Sequence, residues 1–312
     1  MELSSIETIE GGFARLGYIC SSRIATAVFL AVRLRKPVLV EGPPGVGKTE
    51  LAKTAAKLLS LPLLRLQCYE GLDEAKALYE WKYGKQLLYT QVLKEKLGDL
   101  LKGAEGLAES VARLHRVGDV FYSPQFLEPR PLLKAMEQSE GAVLLIDEID
   151  KSDAEFESLL LEILSDYQVS IPEIGTIVAR STPLVFLTSN NTRELSDALK
   201  RRCLHLHIPF PSIELEERIL TIRVPDLASN LRRQLVAFVH AVRELDLKKQ
   251  PAISETIDWA RSLLLLHATE LEESLLRGTL NVLLKFEQDI ETAEAELPRL
   301  RRELGASATG AA

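Results

Sequence analysis

Residues 42–49 have the composition and spacing of a loop that holds the phosphates of a nucleoside triphosphate. They read Gly-Pro-Pro-Gly-Val-Gly-Lys-Thr and fit the pattern G-x-x-x-x-G-K-[ST]. An apolar run at 38–40 precedes them and a helical pattern at 50–59 follows, which is the strand, loop and helix context that the motif requires. Glycines let backbone N–H groups close around phosphates, and the N-terminus of the following helix adds partial positive charge. These features favour a nucleotide-binding loop, here named the phosphate loop, over a chance match at the surface.

Two side chains of the phosphate loop carry specific expectations. Lys48 should reach the β- and γ-phosphates, and Thr49 should coordinate Mg²⁺. The predicted nucleotide-binding residues are Gly42, Pro43, Pro44, Gly45, Val46, Gly47, Lys48, Thr49 and Glu50.

A predicted strand that ends in two acidic residues is the second chemical signal. The uninterrupted apolar run at 142–146 suits a parallel-sheet strand covered on both faces, and it leads directly into Asp147 and Glu148. Ligands gather at the C-terminal ends of strands in open α/β sheets. We expect Asp147 to hold Mg²⁺ through its water shell and Glu148 to act on the attacking water as general base. The alternative interpretation is a strand that ends at a solvated acidic turn.

The elements that must position these residues follow from the pattern of apolar runs. Predicted strands lie at 38–40, 61–67, 142–146, 184–188 and 204–208, and amphipathic helices follow at 214–222, 231–245, 254–266 and 271–288. Strands that alternate with helices imply a parallel sheet. The Pro-flanked turn at 209–211 separates the two patterns. We therefore predict an α/β nucleotide-binding domain at 1–211, an all-helical lid domain at 212–304 and a disordered tail at 305–312.

Two insertions into the α/β domain are expected. The segment near 69–140 is longer than a single crossover helix requires, so extra structure should lie there. The segment 166–179 has apolar residues around Pro172 and Gly175 and predicts a β-hairpin.

Composition limits the class of protein. The 312 residues carry a net charge of −7 with both signs interspersed, so we expect neither a nucleic-acid nor an anionic-membrane partner. The three cysteines, Cys20, Cys68 and Cys203, are far apart and lack metal-ligand spacing, which favours reduced thiols. No basic segment precedes an apolar stretch at the N-terminus, and no run approaches the roughly 18 apolar residues of a membrane span. A cytoplasmic protein without a membrane span is expected.

The phosphate loop, the distant acidic pair and the helical region that follows together resemble the AAA+ ATPases. Asn190, at the end of the fourth strand, is similar to the family's sensor 1 residue, which helps to position the hydrolytic water; an ordinary Asn-Asn turn is the alternative. Arg201 and Arg202 precede the fifth strand, where the family places an arginine finger that acts on the neighbouring subunit's nucleotide; a solvated pair at a helix C-terminus is the alternative. The Arg-Cys step at 202–203 resembles the finger motif of clamp-loader ATPases and favours Arg202.

Within the AAA+ ATPases, several segments resemble the MoxR family. They are Glu-Gly-Pro-Pro-Gly-Val-Gly-Lys-Thr at 41–49, Cys-Tyr-Glu-Gly-Leu at 68–72, Arg-Pro-Leu-Leu at 130–133, Leu-Ile-Asp-Glu-Ile-Asp at 145–150 and Ile-Pro-Glu-Ile-Gly at 171–175. The same segments are similar to the accessory ATPases of carbon monoxide dehydrogenase maturation, and the similarity extends over about residues 17–259.

The resemblance implies a function, its cofactors and its partners. It implies an ATPase that uses ATP and Mg²⁺, assembles into a homo-oligomeric ring of the hexameric type, and remodels or matures another protein complex. It further implies a partner with a von Willebrand factor A domain and a client metalloenzyme, with a molybdenum and copper carbon monoxide dehydrogenase as the leading specific candidate. A nucleotide-gated switch with negligible turnover and a DNA-handling motor are the alternatives.

The resemblance also sets expectations for residues outside the motifs. Tyr18 and Ile19 should line the adenine pocket, where the family has a short apolar turn. Trp81 and Tyr83 either face the central channel of the ring or pack under the insertion. The Ser-Pro-Arg segment that carries the family's sensor 2 arginine is replaced by Ala-Ile-Ser-Glu-Thr at 252–256. Arg261 and Arg277 are candidates to substitute for that arginine, and the alternative is that both are solvated lid residues.

Overall fold

The computed structural model describes residues 5–101, 106, 121–172 and 174–309, with the backbone alone described at 93–101 and 303–309. Its strands are β1 Val38–Glu41, β2 Leu63–Gln67, β3 Tyr79–Trp81, β4 Leu127–Pro129, β5 Val143–Asp147, β6 Gln168–Ile171, β7 Gly175–Val178, β8 Leu184–Ser189 and β9 Leu204–His207.

Helices cover most of the remaining described residues. They are α1 Ile6–Arg15, α2 Ser22–Leu34, α3 Lys48–Leu59, α4 Glu74–Ala77, α5 Tyr83–Leu101, α6 Pro131–Glu137, α7 Ala154–Asp166, α8 Asp197–Arg202, α9 Ile213–Arg223, α10 Ser229–Arg243, α11 Ile253–Leu265, α12 Glu273–Leu283 and α13 Glu287–Thr309. Several begin at a side chain that accepts a hydrogen bond from the backbone N–H three residues later, which satisfies a donor that the helix leaves free. These caps are Ser5, Ser21, Asp153, Ser196 and Ser212.

The central sheet has five parallel strands in the order β2-β5-β8-β1-β9. Strand β8 lies between β1 and β5, so the residue that follows β8 lies between the phosphate loop and the acidic pair. The predicted parallel α/β sheet is confirmed, and the strand ends differ from the predicted ones by at most two residues.

Both faces of the sheet are buried, which explains the uninterrupted apolar runs. Alternate residues of a strand point to opposite faces and join different apolar clusters. Leu39, Leu144 and Ile146 belong to the cluster on one face, and Val38, Val40, Val143 and Leu145 belong to the cluster on the other.

Helices α9 to α13, which we call the lid, follow the turn at 209–211 and surround a third apolar cluster. The helix predicted at 271–288 is wrong as a single element, because the chain forms α12 and α13 with extended backbone at Leu284 between them. Leu284 is buried in this third apolar cluster, so the turn allows both helices to pack on the same apolar core. That the lid is a separate domain stays a prediction.

The tail prediction requires a second correction. Helix α13 continues to Thr309, so residues 305–309 are helical, whereas disorder was predicted at 305–312. Ala306 and Ala308 have high helix propensity, and extending a helix that already exists costs less than starting one. Residues 310–312 lie outside the described part of the chain.

Both predicted insertions contain structure of their own. Within 69–140 the chain forms α4, α5, α6 and an antiparallel pair of β3 with β4, while 102–105 and 107–120 lie outside the described residues. Strands β6 and β7 pair antiparallel, which confirms the hairpin; residue 173 of its turn is not among the described residues.

Trp81 is buried and its ring lies edge-on to those of Tyr79 and Tyr122, whereas Tyr83 is exposed. Packing under the insertion is therefore correct for Trp81 alone.

In the part of the chain that the structure describes, no helix combines the length and the apolar character needed to cross a membrane.

Candidate functional site

The phosphate loop connects β1 to α3 at the C-terminal end of the sheet. Gly42, Gly45 and Gly47 have positive φ angles of 150°, 75° and 97°. At Gly42 a Cβ atom would lie 2.1 Å from the carbonyl oxygen of Ile208, so this position accepts only glycine. Helix α3 begins at Lys48 without a side-chain cap at Gly47. Its first backbone N–H groups are therefore available to an anion.

Lys48 is buried and its ammonium group has three acceptors within the site. Nζ donates to the carbonyl oxygens of Gly42 and Pro43 at 2.6 and 2.7 Å and to Asn190 Oδ1 at 2.7 Å. Burial lowers the pKa of Lys48 to about 8, although the carboxylates of Asp150, Asp147 and Glu148 oppose the shift. A phosphate next to Nζ would favour the charged form.

Thr49 and Asp147 lie side by side. Thr49 Oγ1 donates to Asp147 Oδ1 and Oδ2 at 3.1 and 3.3 Å, and Thr188 Oγ1 donates to Oδ1 at 2.5 Å. A hydroxyl and a carboxylate are the oxygen ligands that Mg²⁺ prefers, and Mg²⁺ usually takes only one or two protein ligands beside phosphate oxygens and water. No larger group of potential metal ligands occurs among the described residues. The donor set therefore fits the predicted metal.

Glu148 has contacts through both its backbone and its carboxylate. Its backbone has a left-handed conformation, with φ 58° and ψ 51°, and its N–H donates to Thr188 Oγ1 at 2.9 Å. Gln67 Nε2 donates to its Oε2 at 2.8 Å, and Lys151 Nζ lies 2.7 Å from the same oxygen. A non-glycine residue in this conformation persists only where its surroundings fix it, and such residues cluster at functional sites.

Asn190 lies where the strand order places it, between the phosphate loop and the acidic pair. Besides accepting from Lys48, it donates through Nδ2 to Glu148 Oε1 at 3.4 Å. Its backbone N–H donates to Asp150 Oδ2 at 3.2 Å, and Thr192 donates to the same oxygen through both N–H and Oγ1. Burial would raise the pKa of Asp150, but the hydrogen bonds from Thr192 and Asn190 outweigh it and keep the pKa below its ordinary value.

Two cavities meet at the phosphate loop. The larger, of about 720 Å³, is lined by Tyr18, Ile19, Val46, Ile208, Phe210, Ile257 and other residues. The smaller, of about 330 Å³, is lined by Pro44, Lys48, Thr49, Arg65, Asp147, Glu148, Asn190 and others. Gly45, Gly47, Glu50 and Ser254 line both cavities, which makes them neighbouring parts of one site. The structure thus brings four predicted groups to one site: the phosphate loop, the acidic pair, Asn190 and the Tyr18-Ile19 turn.

Arg201 and Arg202 are not part of this site. Strand β9 pairs with β1 so that Leu204 lies beside Val38, the first residue of β1, whereas the phosphate loop follows Glu41, the last. Both arginines therefore lie at the opposite end of the sheet from the phosphate loop of their own chain. Both are exposed, and Arg202 Nε donates to Ser165 Oγ at 2.8 Å.

The two lid arginines differ in position. Arg261 lines the larger cavity and Nη1 lies 3.5 Å from Asp258. Arg277 lies on α12, where it pairs with Glu273 on the same helix. The segment 252–256 itself lies at the phosphate loop, since Ser254 Oγ is 2.6 Å from the place that a Cβ at Gly45 would occupy.

Two polar residues of β2 belong to the site although the sequence did not predict them. Arg65 donates from Nε and Nη2 to Asp147 Oδ2 at 3.0 and 2.6 Å, and Gln67 donates to Glu148. The available signal was their spacing, because two polar residues at alternate positions of an otherwise apolar strand lie on one face. Which site they would face depends on the pairing of β2 with β5.

Comparison with known proteins identifies the family of this chain. The sequence profile of the AAA domain (dynein-related subfamily) matches residues 37–203, more than half of the 312 residues. An uncharacterized protein of Staphylococcus aureus (strain bovine RF122 / ET3-1) is 26% identical over 238 residues, covering 74% of this chain and 76% of that protein. One from Staphylococcus epidermidis (strain ATCC 12228) is 26% identical over 239 residues, covering 74% and 77%.

A solved structure with a similar fold is the RuvB Holliday junction branch migration motor of Thermotoga maritima. It is 18% identical and has a TM-score of 0.43, with 83% of this chain and 67% of that chain covered. The predicted AAA+ fold, a parallel phosphate-loop sheet followed by helices, is confirmed. The chain belongs to the AAA domain family, in its dynein-related subfamily.

Proposed function

From this membership and the geometry of the site, we propose that the chain binds ATP with Mg²⁺ and hydrolyses it. The observation that carries the proposal is the convergence of Lys48, Asn190 and Glu148 on one cavity. Lys48 Nζ lies 2.7 Å from Asn190 Oδ1, and Asn190 Nδ2 lies 3.4 Å from Glu148 Oε1. A phosphate-binding cation, a water-positioning amide and a carboxylate base are thereby within reach of one bound phosphoryl group.

The two cavities suit the two ends of ATP. The larger cavity has apolar walls that include Tyr18, Ile19 and Val46, and it takes the adenine base and the ribose. The smaller, polar cavity takes the triphosphate, with backbone N–H groups at the start of α3 and the ammonium group of Lys48 as its donors.

Hydrolysis is assigned to groups that act on the charge of the γ-phosphate and on one water molecule. Thr49 and Asp147 hold Mg²⁺, which supplies charge neutralisation to the phosphates when it is bound. Glu148 accepts a proton from the attacking water, and Asn190 orients that water. The hydrogen bond that Gln67 donates to the carboxylate of Glu148 and the one that the backbone N–H of Glu148 donates to Thr188 hold Glu148 in place for this step.

We propose that the active form is a ring, of the hexameric type, in which Arg202 acts on the ATP of the neighbouring subunit. The position of Arg202 at the far end of the sheet supports action in trans, because the arginine lies away from the phosphate loop of its own chain. It is also exposed. An arginine supplied in this way typically accelerates phosphoryl transfer by about 10³- to 10⁵-fold.

For the biological role, we propose a MoxR-class ATPase that remodels or matures a metalloenzyme together with a von Willebrand factor A domain partner. The motif resemblance supports this role and favours a molybdenum and copper carbon monoxide dehydrogenase as client. The hairpin of β6 and β7 is a candidate contact surface, because Ser170, Gly175 and Val178 are exposed on it.

Phosphate release by the purified protein tests the proposed reaction. The expected result is release of phosphate from ATP that requires Mg²⁺ and is lost in Lys48→Ala. Release at the parental rate from Lys48→Ala would contradict the assignment of the activity to this site.

The partner proposal has its own test. The protein and a purified von Willebrand factor A domain protein from the same source should associate more tightly with ATP than with ADP. Absence of association with either nucleotide would reject this partner and leave the hydrolysis proposal intact.

A nucleotide-gated switch with negligible turnover is the second candidate. It is favoured by the lid segment beside the phosphate loop, which carries Glu255 and Ser254 where the family has an arginine. Tight binding of ATP without phosphate release by the assembled protein would select the switch.

A further inference from the structure

Arg65 donates to one carboxylate oxygen of Asp147, a residue that lines the smaller cavity. Its Nε and Nη2 atoms both donate to Oδ2, at 3.0 and 2.6 Å. The other oxygen, Oδ1, accepts from Thr49 at 3.1 Å and from Thr188 at 2.5 Å. Asp147 is almost fully buried, with 4% of its side chain exposed, so its two oxygens are saturated by protein donors.

A metal ion held by Thr49 and Asp147 needs part of the same carboxylate. A guanidinium group and a divalent cation, or the water on it, then compete for Oδ2 at close range. Like charges repel strongly where water is partly excluded. The bond between Arg65 and Asp147 and the binding of Mg²⁺ to Asp147 therefore oppose one another.

Arg65 is half exposed, whereas its partner Asp147 is buried. About half of the Arg65 side chain is exposed (49%), and its strand β2 is at the edge of the sheet. Its remaining hydrogen bond is from Nη2 to Gln67 Oε1 at 2.6 Å, and Gln67 in turn donates to Glu148. A shift of Arg65 thus alters a hydrogen bond of the proposed base as well as the metal ligand.

The cavity offers Arg65 a second partner. Arg65 lines it together with Lys48, Thr49 and Asn190, and it is the one arginine among the described residues that line this cavity. The lid segment at the phosphate loop contributes Ser254 and no arginine. A terminal phosphate in this cavity would attract the guanidinium group, since Arg forms strong charge-assisted hydrogen bonds with phosphate.

We propose that Arg65 exchanges Asp147 for the terminal phosphate of ATP when the Mg²⁺–ATP complex binds. The inference rests on the proposed function, because it assumes nucleotide at the phosphate loop. Arg65 then has two effects: it competes with the metal at Asp147, and it gives ATP an advantage over ADP that the lid does not provide. Because Arg65 donates to Gln67 and Gln67 donates to Glu148, the same movement changes the hydrogen bonding of Glu148 when the terminal phosphate binds.

The test measures binding of fluorescent ADP and ATP analogues at increasing Mg²⁺ concentration, in the Glu148→Gln background so that no turnover occurs. Arg65→Ala should bind ADP at a Mg²⁺ concentration about tenfold lower than the Arg65 parent, because the competitor for Asp147 is gone. It should also lose most of the preference for ATP over ADP. Arg65→Lys should show intermediate values. Lys53→Ala removes a positive charge from the same cavity without a contact to Asp147, and it should retain the parental Mg²⁺ dependence.

A purely structural role for Arg65 predicts the opposite sign. If Arg65 only supports Asp147, Arg65→Ala will require more Mg²⁺ than the parent and will weaken ADP and ATP equally; either result would overturn the inference. Unaltered Mg²⁺ dependence in Arg65→Ala overturns it as well. A parent protein that binds neither nucleotide would instead reject the proposed function, so the two failures are distinguishable.

Discussion

Two clusters of charged side chains in this molecule use similar groups in different ways. The phosphate-side cluster comprises Lys48, Arg65, Asp147, Glu148 and Asn190 around the smaller cavity. The lid cluster comprises Glu216, His240, Arg243 and Thr256, from α9, α10 and α11. Each contains an arginine that donates two hydrogen bonds to a buried carboxylate.

The clusters differ in how completely they are closed. In the lid cluster Arg243 forms a fork with both oxygens of Glu216, at 2.6 and 2.9 Å, while Thr256 and His240 bond to the same carboxylate. Glu216 is fully buried and the Arg243 side chain is 7% exposed. In the phosphate-side cluster the side chains of Arg65 and Glu148 are 49% and 32% exposed. A closed network fixes three helices, whereas an open one leaves partners free to exchange with a ligand.

Glu148→Gln should have the largest effect on function and almost none on stability. The amide keeps the shape of the carboxylate and one acceptor oxygen but cannot accept a proton, so ATP turnover should fall by about 10²- to 10⁴-fold while ATP binding is retained. Turnover and binding are measured on one preparation. Turnover equal to that of the parent would remove Glu148 from its assigned role.

Arg243→Ala should have the largest effect on stability. It leaves Glu216 buried without its fork, so the free energy of unfolding should fall by about 3–5 kcal/mol, as measured by urea denaturation. Arg277→Ala is the control, because it removes an exposed ion pair with Glu273 and should cost at most about 1 kcal/mol. Equal losses in the two variants would contradict the distinction between closed and open clusters.

Lys48→Ala should weaken ATP binding by about tenfold to a hundredfold, since a charge-assisted hydrogen bond contributes roughly 1.5–3 kcal/mol. The measurement is a titration with a fluorescent ATP analogue. Lys53→Ala is the matched control at the same cavity. If both variants bind ATP alike, Lys48 has no special role in holding the phosphates.

The smallest effect expected is on acid stability. Burial would raise the pKa of Glu216, but the hydrogen bonds from His240, Arg243 and Thr256 outweigh it and hold the pKa below the ordinary value of 4.5. A carboxyl whose pKa is lower in the folded than in the unfolded state contributes stability above its unfolded pKa and loses it as the pH falls through the folded pKa. The urea midpoint should therefore fall from about pH 6 to about pH 3 more steeply in the parent than in Glu216→Gln. Parallel pH profiles would reject this contribution.

The sequence predicted that most members of the phosphate-side cluster share one site, and it predicted none of the lid cluster, for a physical reason. The phosphate loop and the acidic pair are contiguous motifs, and Asn190 was identifiable because parallel strands end at one edge of the sheet. Arg65 and Gln67 were missed because their contacts depend on β2 being the neighbour of β5. The lid cluster joins residues of three helices whose packing sequence periodicity does not specify.

The errors in the lid have the same origin. The prediction of one helix at 271–288 followed amphipathic periodicity, whereas the helix ends at Leu284 because a turn there buries this residue in the third apolar cluster. Tertiary packing determines where this helix ends, and the local sequence pattern alone does not predict that boundary.

The central claim is an ATPase site completed by a neighbouring copy, and a mixing experiment tests it most directly. Arg202→Ala and Glu148→Gln subunits should each be inactive alone. In mixed rings some interfaces pair an intact Glu148 with an intact Arg202 from the next subunit, so partial ATP turnover should return and should rise with protein concentration as subunits associate. If mixed rings form and no turnover returns, Arg202 does not act in trans and the shared site is contradicted.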